Sequence, residues 1–385
     1  MQKRIVRAAL VSSLLVLPFG SAEPLRAQTP DAGAATPASA LPLRQWGEEA
    51  LGMIARDLLL PGRDLYAEKA TTGRAPTQTS FMWGAGVQLS ALAAAARVEP
   101  RRYTAPLRSY ADAIQVYWTD HGGIGGYDVL PAPKPTDRYY DDNVWVVLAL
   151  AETFEVTRDQ KYRDRAEAAF RFVMSGEDEK LGGGLYWQEN TRESKNTCSN
   201  APAIVAALRL YQLTGRAEYL ATARRLYDWT RVHLQDPEDG LFWDNVKLDG
   251  QVDRKKYSYN TALMIRANVL FYSLTSEPRY LTEAQRVGKA AEGKWVDAGT
   301  GGIADSGRFA HMLIESFLAL DGVDPDPRWR GIADRALPFV HDHVRDANGH
   351  YGSRWDRPLN SALTEFTLLD QASAARAFWV AASPE

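Results

Sequence analysis

Cysteine is all but missing: Cys198 is the only one in 385 residues, so no disulfide can form within the chain. Histidine is nearly as scarce, limited to His121, His233, His311, His341, His343 and His350. His341 and His343 stand two apart, a spacing that sends them to different faces of a helix, so no paired-histidine metal site is expected. With no ligand cluster visible in the spacing, neither a metal nor a cofactor is expected. A surplus of either charge is missing too. Against 45 Lys+Arg stand 48 Asp+Glu, a net charge of −3, which argues against nucleic acid or anionic lipid as partner and favours a neutral ligand.

The apolar run near the N-terminus, "AALVSSLLVLPFG", is too short to span a bilayer comfortably. It follows Lys3, Arg4 and Arg7 and precedes small residues ending in Ala22, the pattern of a secretory signal. Residues 1–22 are therefore read as a signal peptide, with cleavage after Ala22 or Ala27. Residues 23–42 read as a Pro/Ala-rich linker, and residues 43–385 as a single domain. No cysteine lies at the cleavage site to carry a lipid. A secreted or periplasmic monomer with no membrane segment after cleavage is expected.

What the body of the chain does contain is a repeat. "VEPRRY", "VTRDQKY", "LTGRAEY", "LTSEPRY" and "VDPDPRW" each separate two helix-like apolar runs, like the turn of a helical hairpin. Their aromatic ends, Tyr103, Tyr162, Tyr219, Tyr280 and Trp329, are spaced by 59, 57, 61 and 49 residues. Between them lie Gly-aromatic segments: "HGGIGGYD", "GGGLYW", "DGLFWD", "GTGGIAD" and "NGHYGSRW". Each leads into a further helix, near Asp141, Asn200, Asn260, Gly307 and Ser361. Six hairpins result. An open solenoid would accommodate them. A closed, all-α (α/α)6 toroid is preferred, because its longer loops would gather on one face. Tyr186, Trp187 and Trp243 on those loops are suited to stacking on the apolar faces of sugar rings.

The stretch "YYDDNVW" sets Asp141 and Asp142 side by side ahead of an apolar helix. One aspartate there would serve as a helix cap, and a cap needs only one. Two neighbouring carboxylates oppose joint ionisation, so their pKa values should separate. Glycoside hydrolysis needs that division: one carboxylic acid protonates the leaving oxygen while an ionised partner attacks or activates water. Sequence neighbours favour the short separation used by retaining enzymes. Beside the pair stand Tyr140 and Asn143, and at the heads of the next inner helices Asn196 and Asn200, then Tyr257, Tyr259 and Asn260. Their amides and phenols could bind hydroxyls without adding charge.

Over nearly all of the mature chain the sequence resembles glycoside hydrolase family 76, the endo-α-1,6-mannanases. The matching pieces are "YYDDNVWVVLALAETFEVTRDQKY", "GGGLYW", "KNTCSNAPAIVAALRLYQLTGRAEYL" and "YSYNTALMIRANVLFYSLT". The resemblance implies an (α/α)6 fold, retaining hydrolysis of α-1,6-mannosidic linkages in mannan or manno-oligosaccharides, and no metal. It assigns the nucleophile to Asp141 and the acid/base to Asp142. The chain departs from the family at Thr261-Ala262, where a Gln-Gly pair is common, and at "GRFAHML" around Phe309, in place of a Phe-Lys-Gly-Ile stretch.

Three other readings share these features. A sugar 2-epimerase would work through histidine, and His311 alone lies near an inner-helix start. An unsaturated glucuronyl hydrolase would need a cation for its acidic sugar, for which Arg308 is the candidate. A non-catalytic carbohydrate-binding protein would keep the aromatic loops and have no use for the paired carboxylates. Cys198 reads as a small buried residue, since no histidine lies near it in sequence to activate it.

Overall fold

In the computed structural model, which describes residues 40–383, Thr157, Thr214 and Thr275 close three helices in the same way. Each hydroxyl donates to the carbonyl four residues back (2.7–2.8 Å) and accepts from the backbone N–H two residues on (3.3–3.4 Å). The residue between, Arg158, Gly215 or Ser276, takes a left-handed conformation that stops the helix. This local chemistry is the content of the repeated "VTRD", "LTGR" and "LTSE" turns. The next helix starts at once, and Tyr162, Tyr219 and Tyr280 in its first turn are buried.

Twelve α-helices are formed by the described residues: α1 (Ala40–Asp57), α2 (Met82–Val98), α3 (Pro100–Ala113), α4 (Tyr140–Thr157), α5 (Gln160–Met174), α6 (Thr197–Thr214), α7 (Ala217–Leu234), α8 (Ser258–Thr275), α9 (Pro278–Trp295), α10 (Gly307–Asp321), α11 (Arg328–His343) and α12 (Leu368–Ala381). The even-numbered helices pack in sequence, and α12 packs back on α2, closing a ring. They are apolar nearly all round, as helices enclosed on every side must be. The odd-numbered helices pack outside with one polar face in water. Five hairpins run within the chain, and α1 supplies the outer partner of α12. The fold is thus the closed (α/α)6 toroid.

The helix starting at Ala40 precedes the expected domain boundary at Leu43. Residues 1–39, which hold the expected signal peptide and most of the linker, lie outside the described residues. The inner helices start within three residues of the expected positions, except the last. That helix starts at Leu368 rather than Ser361, because Glu365–Thr367 is extended and pairs antiparallel with Lys69–Thr71 across the ring's seam. All long connections meet the N-terminal ends of the inner helices. The short turns meet the other end.

Beneath that long-loop face, the ring axis is filled by Arg376 of α12. Its five N–H donors are all used: on Glu152 of α4 (2.5 and 2.8 Å), Glu315 of α10 (2.9 and 3.1 Å) and the Ser90 carbonyl of α2 (2.8 Å). One guanidinium therefore ties four of the six inner helices together.

Candidate active site: a carboxylate pair on the toroid's long-loop face

At the heads of the inner helices lies a cleft of about 1020 Å³. Asp141 and Asp142, in the first turn of α4, stand on its lining with Trp145 one turn deeper. Facing them are Trp187, Asn196, Cys198, Asp244, Tyr257, Tyr259, Trp83 and Phe309. Phe309 stacks on Tyr259 (centroids 4.3 Å, 14° between planes) and on Trp83 (5.8 Å, 23°), making one continuous aromatic wall.

The two aspartates share a helix turn and differ in their partners. Asp141 Oδ2 accepts from the Trp187 indole N–H at 3.0 Å, and its Oδ1 accepts from the Asp142 backbone N–H at 3.0 Å. Burial pushes the Asp141 carboxyl up to about 6, while the Trp187 and backbone donors and the Cys198 thiol pull against that rise. Asp142 is pushed well above the ordinary carboxylate range, first by burial and then by the charges of Asp141, Asp137 and Glu68. No guanidinium or ammonium is bonded to either carboxylate among the described residues. Lys134, on the lining, is taken by Asp128. The arrangement favours one ionised and one protonated carboxyl near neutral pH.

Of the residues singled out in the sequence, Asp141, Asp142, Trp187, Asn196, Tyr257 and Tyr259 meet on this lining. The others stand elsewhere. Asn143 is buried, its Oδ1 accepting from Tyr127 N–H (2.7 Å) and its Nδ2 donating to the Tyr127 and Tyr139 carbonyls (both 2.8 Å). Asn200 grips Leu185 in the same manner (2.8 and 3.0 Å). The fourth residue of an inner helix thus pins the preceding loop, which leaves no polar atom for a sugar. Tyr140 stacks on Phe172 with its hydroxyl on Arg192, and Tyr186 is buried beside them with its hydroxyl on Asp178. Trp243 lies off the lining with its N–H on Asp236 and Arg254 over its ring. Asn260 is buried behind Asp244, at 3.4 Å from its carboxylate.

The Gly-aromatic loops are therefore mostly packing devices. Tyr127, Phe242, Tyr351 and Trp355 are buried to within 1%. Gly307, the first residue of α10, shows why glycine accompanies them: a Cβ there would sit 2.3 Å from the Trp355 indole. Sequence reasoning missed Asp244, whose carboxyl is pushed up by burial, together with Asp137, Trp83 and Phe309 on the lining. Asp244 closes the quoted "DGLFWD" segment but lies well ahead of α8, which starts at Ser258, so no helix-head signal marked it.

His311 is 2% exposed under Trp145, bonded to the Gly307 carbonyl and pushed down to about 4 by burial. It has no access to the cleft. Arg308 is engaged by Asp370 at 3.0–3.3 Å and is absent from the lining. Cys198 does reach the cleft, but burial and the Asp141 charge push its thiol up, which keeps it protonated.

Fold and site together define an (α/α)6 toroid with an acidic, aromatic-walled cleft at the heads of its inner helices. The sequence model of glycosyl hydrolase family 76 matches residues 61–321, and the chain belongs to that family. Among solved structures, it is similar to a GH76 α-mannanase of Bacteroides thetaiotaomicron, with 33% identity and a TM-score of 0.85 over 89% of this chain and 95% of that one. A cellobiose 2-epimerase from Bacillus thermoamylovorans shares the fold alone, with 14% identity and a TM-score of 0.70 over 88% of this chain and 99% of that one. Among curated sequences, a mannan endo-1,6-α-mannosidase of Candida glabrata is 28% identical over 38% of this chain and 37% of its own length. A further mannan endo-1,6-α-mannosidase, of Candida albicans, is 29% identical over 39% and 37%. The chain thus spans under two fifths of the length of these curated relatives.

Proposed function

We propose that this protein is a retaining glycoside hydrolase that cleaves α-1,6-mannosidic linkages in mannan or manno-oligosaccharides, acting outside the cytoplasm as a monomer. The observation that carries the reading is the asymmetry of the adjacent carboxylates. Asp141, held by two N–H donors, is the nucleophile. Asp142, surrounded by like charge, is the acid and then the base.

In the first step Asp142 gives its proton to the glycosidic oxygen as Asp141 attacks the anomeric carbon. The leaving chain departs as an alcohol and a mannosyl ester forms on Asp141. Asp142, now ionised, takes a proton from water, whose oxygen displaces Asp141 and restores the α configuration. The aromatic wall and Trp187 offer apolar faces to sugar rings, and Asp244, Asn196, Tyr257 and Tyr259 offer hydroxyl partners. The family and the names of its relatives support the linkage. So does an α-1,6-mannanase of Salegentibacter that shares the fold at 23% identity, with a TM-score of 0.74 over 88% of this chain and 99% of that one. Its inactive variant, with two adjacent aspartates replaced by asparagine, is seen with α-1,6-mannotriose.

The test is digestion of linear α-1,6-mannan followed by ¹H NMR from the first minutes. Release of oligosaccharides with the α anomer appearing first is expected. A β-first product would remove Asp141 as nucleophile, and no release at all would remove the mannanase reading.

A further inference from the structure

We propose that Trp187 is a positioning residue for the nucleophile: its indole N–H fixes the Asp141 carboxylate while its ring stands open to the cleft. The inference rests on reading Asp141 as the attacking group. Trp187 reaches Asp141 from a loop 46 residues away in sequence, and its Nε1–Oδ2 distance is 3.0 Å. That loop is not free to drift. The Trp187 carbonyl accepts from Tyr140 N–H (2.9 Å) and the Arg138 carbonyl from Glu189 N–H (3.0 Å), pairing the loop antiparallel to the extended segment that enters α4. Next to it, Gln188 Nε2 donates to Asp137 Oδ1 (2.7 Å) and to the Tyr139 hydroxyl (3.1 Å), and the Tyr139 ring meets the Trp187 ring at 5.0 Å. The indole is thereby aimed by the same segment that places the aspartate.

The bond answers an electrostatic problem. The titratable groups about the pair are Asp142, Tyr139, Cys198, Tyr259 and Asp244 near Asp141, with Asp137 and Glu68 acting on Asp142; the one cation on the lining, Lys134, is held by Asp128. A neutral donor favours the anion without the cation that would also ionise Asp142. With Oδ1 held by the Asp142 backbone, the Trp187 N–H leaves the carboxylate one orientation. Both bonds weaken when the ester forms and recover when the anion is released, so they favour breakdown of the intermediate as well as readiness for attack. A platform for sugar stacking needs the ring alone. Because Trp187 is 42% exposed, replacing it leaves the core untouched.

Trp187→Phe keeps a ring and deletes the donor; Trp187→Ala deletes both. Their kcat and KM on linear α-1,6-mannan are measured across pH, with the indole N–H signals of ¹⁵N-tryptophan-labelled protein followed in parallel. For Trp187→Phe the acid limb of kcat/KM should move up by about one pH unit, with kcat near pH 5 reduced about tenfold and KM held within about threefold. Trp187→Ala should raise KM in addition. One of the eleven tryptophan indole signals should vanish in Trp187→Phe. In the wild type that signal should shift with pH, and Asp141→Asn should abolish the shift. A Trp187→Phe variant with the wild-type pH profile, or an indole signal blind to Asp141→Asn, overturns the proposal. Wild-type protein inert on the mannan overturns the functional reading instead, while the indole titration still decides whether the bond exists.

Discussion

Asn200 holds both backbone polar groups of Leu185: its Oδ1 accepts the N–H at 2.8 Å and its Nδ2 donates to the carbonyl at 3.0 Å. Asn143 does this for Tyr127 and Gln371 for Tyr351, so three inner helices secure the loops that precede them by one device. Asn200→Leu would bury an unpaired N–H and carbonyl and should destabilise the fold by about 2–4 kcal/mol in urea unfolding. A residue that served only to bind sugar would raise KM and leave the unfolding midpoint alone.

The two aspartates should fail differently. Asp141→Ala removes the atom that bonds to the sugar and should stop turnover with every leaving group. Asp142→Ala should still form the mannosyl-enzyme from an activated aryl α-mannoside, whose leaving group needs little protonation, and should then stall. Added azide should restore turnover and yield the α-mannosyl azide. Rescue at Asp141 instead would exchange the two roles.

The pair should also cost stability. An acid whose native pKa is raised binds more protons folded than unfolded, so its contribution declines as pH rises from the ordinary 3.8 through the native value, about 6 for Asp141. Asp142→Asn, inactive, should be more stable than the wild type by about 1–3 kcal/mol at pH 7, and the gain should fade near pH 4. Equal unfolding midpoints at both pH values would show that the cleft relieves the charge in another way.

His311 works in the opposite sense over an overlapping range. It is buried neutral, pushed from 6.5 down to about 4 by burial, with Arg376 and Arg266 adding to the effect against Glu315 and the Gly307 carbonyl. The unfolded chain takes up a proton below 6.5 that the native state refuses until about 4, so stability is lost as pH falls through that window, by about 3 kcal/mol. In His311→Gln the part of the slope due to this residue should disappear. The comparison is best made in the Asp142→Asn background, where part of the opposing trend is gone. An unchanged slope would mean that His311 is already charged in the native state.

How much of this was legible follows from range. The turn at Thr214-Gly215 is chemistry over a few residues, so the hairpins could be read directly from the repeat. So could the place of Asp141 and Asp142, at the junction of a loop and a helix lined by apolar residues. The role of Asn200 could not, because an amide at a helix head has one sequence signature whether it grips a loop or a ligand. Trp187 and Trp243 look alike in sequence, and only the antiparallel pairing beside Tyr140 turns one of them to the cleft. The start of α12 was misjudged because the strand before it is set by a partner nearly 300 residues away, Lys69–Thr71.

That seam orders the events of folding. Each finished hairpin can rest on the one before it. Yet α1 has no inner partner and α2 keeps a bare flank until α12 docks. Arg376 belongs to that last helix, so until it docks Glu152 lacks its cation and Glu315 is left with Arg266 alone. The partly folded chain is thus an open arc, and the cleft comes into being in a single late closure rather than growing hairpin by hairpin.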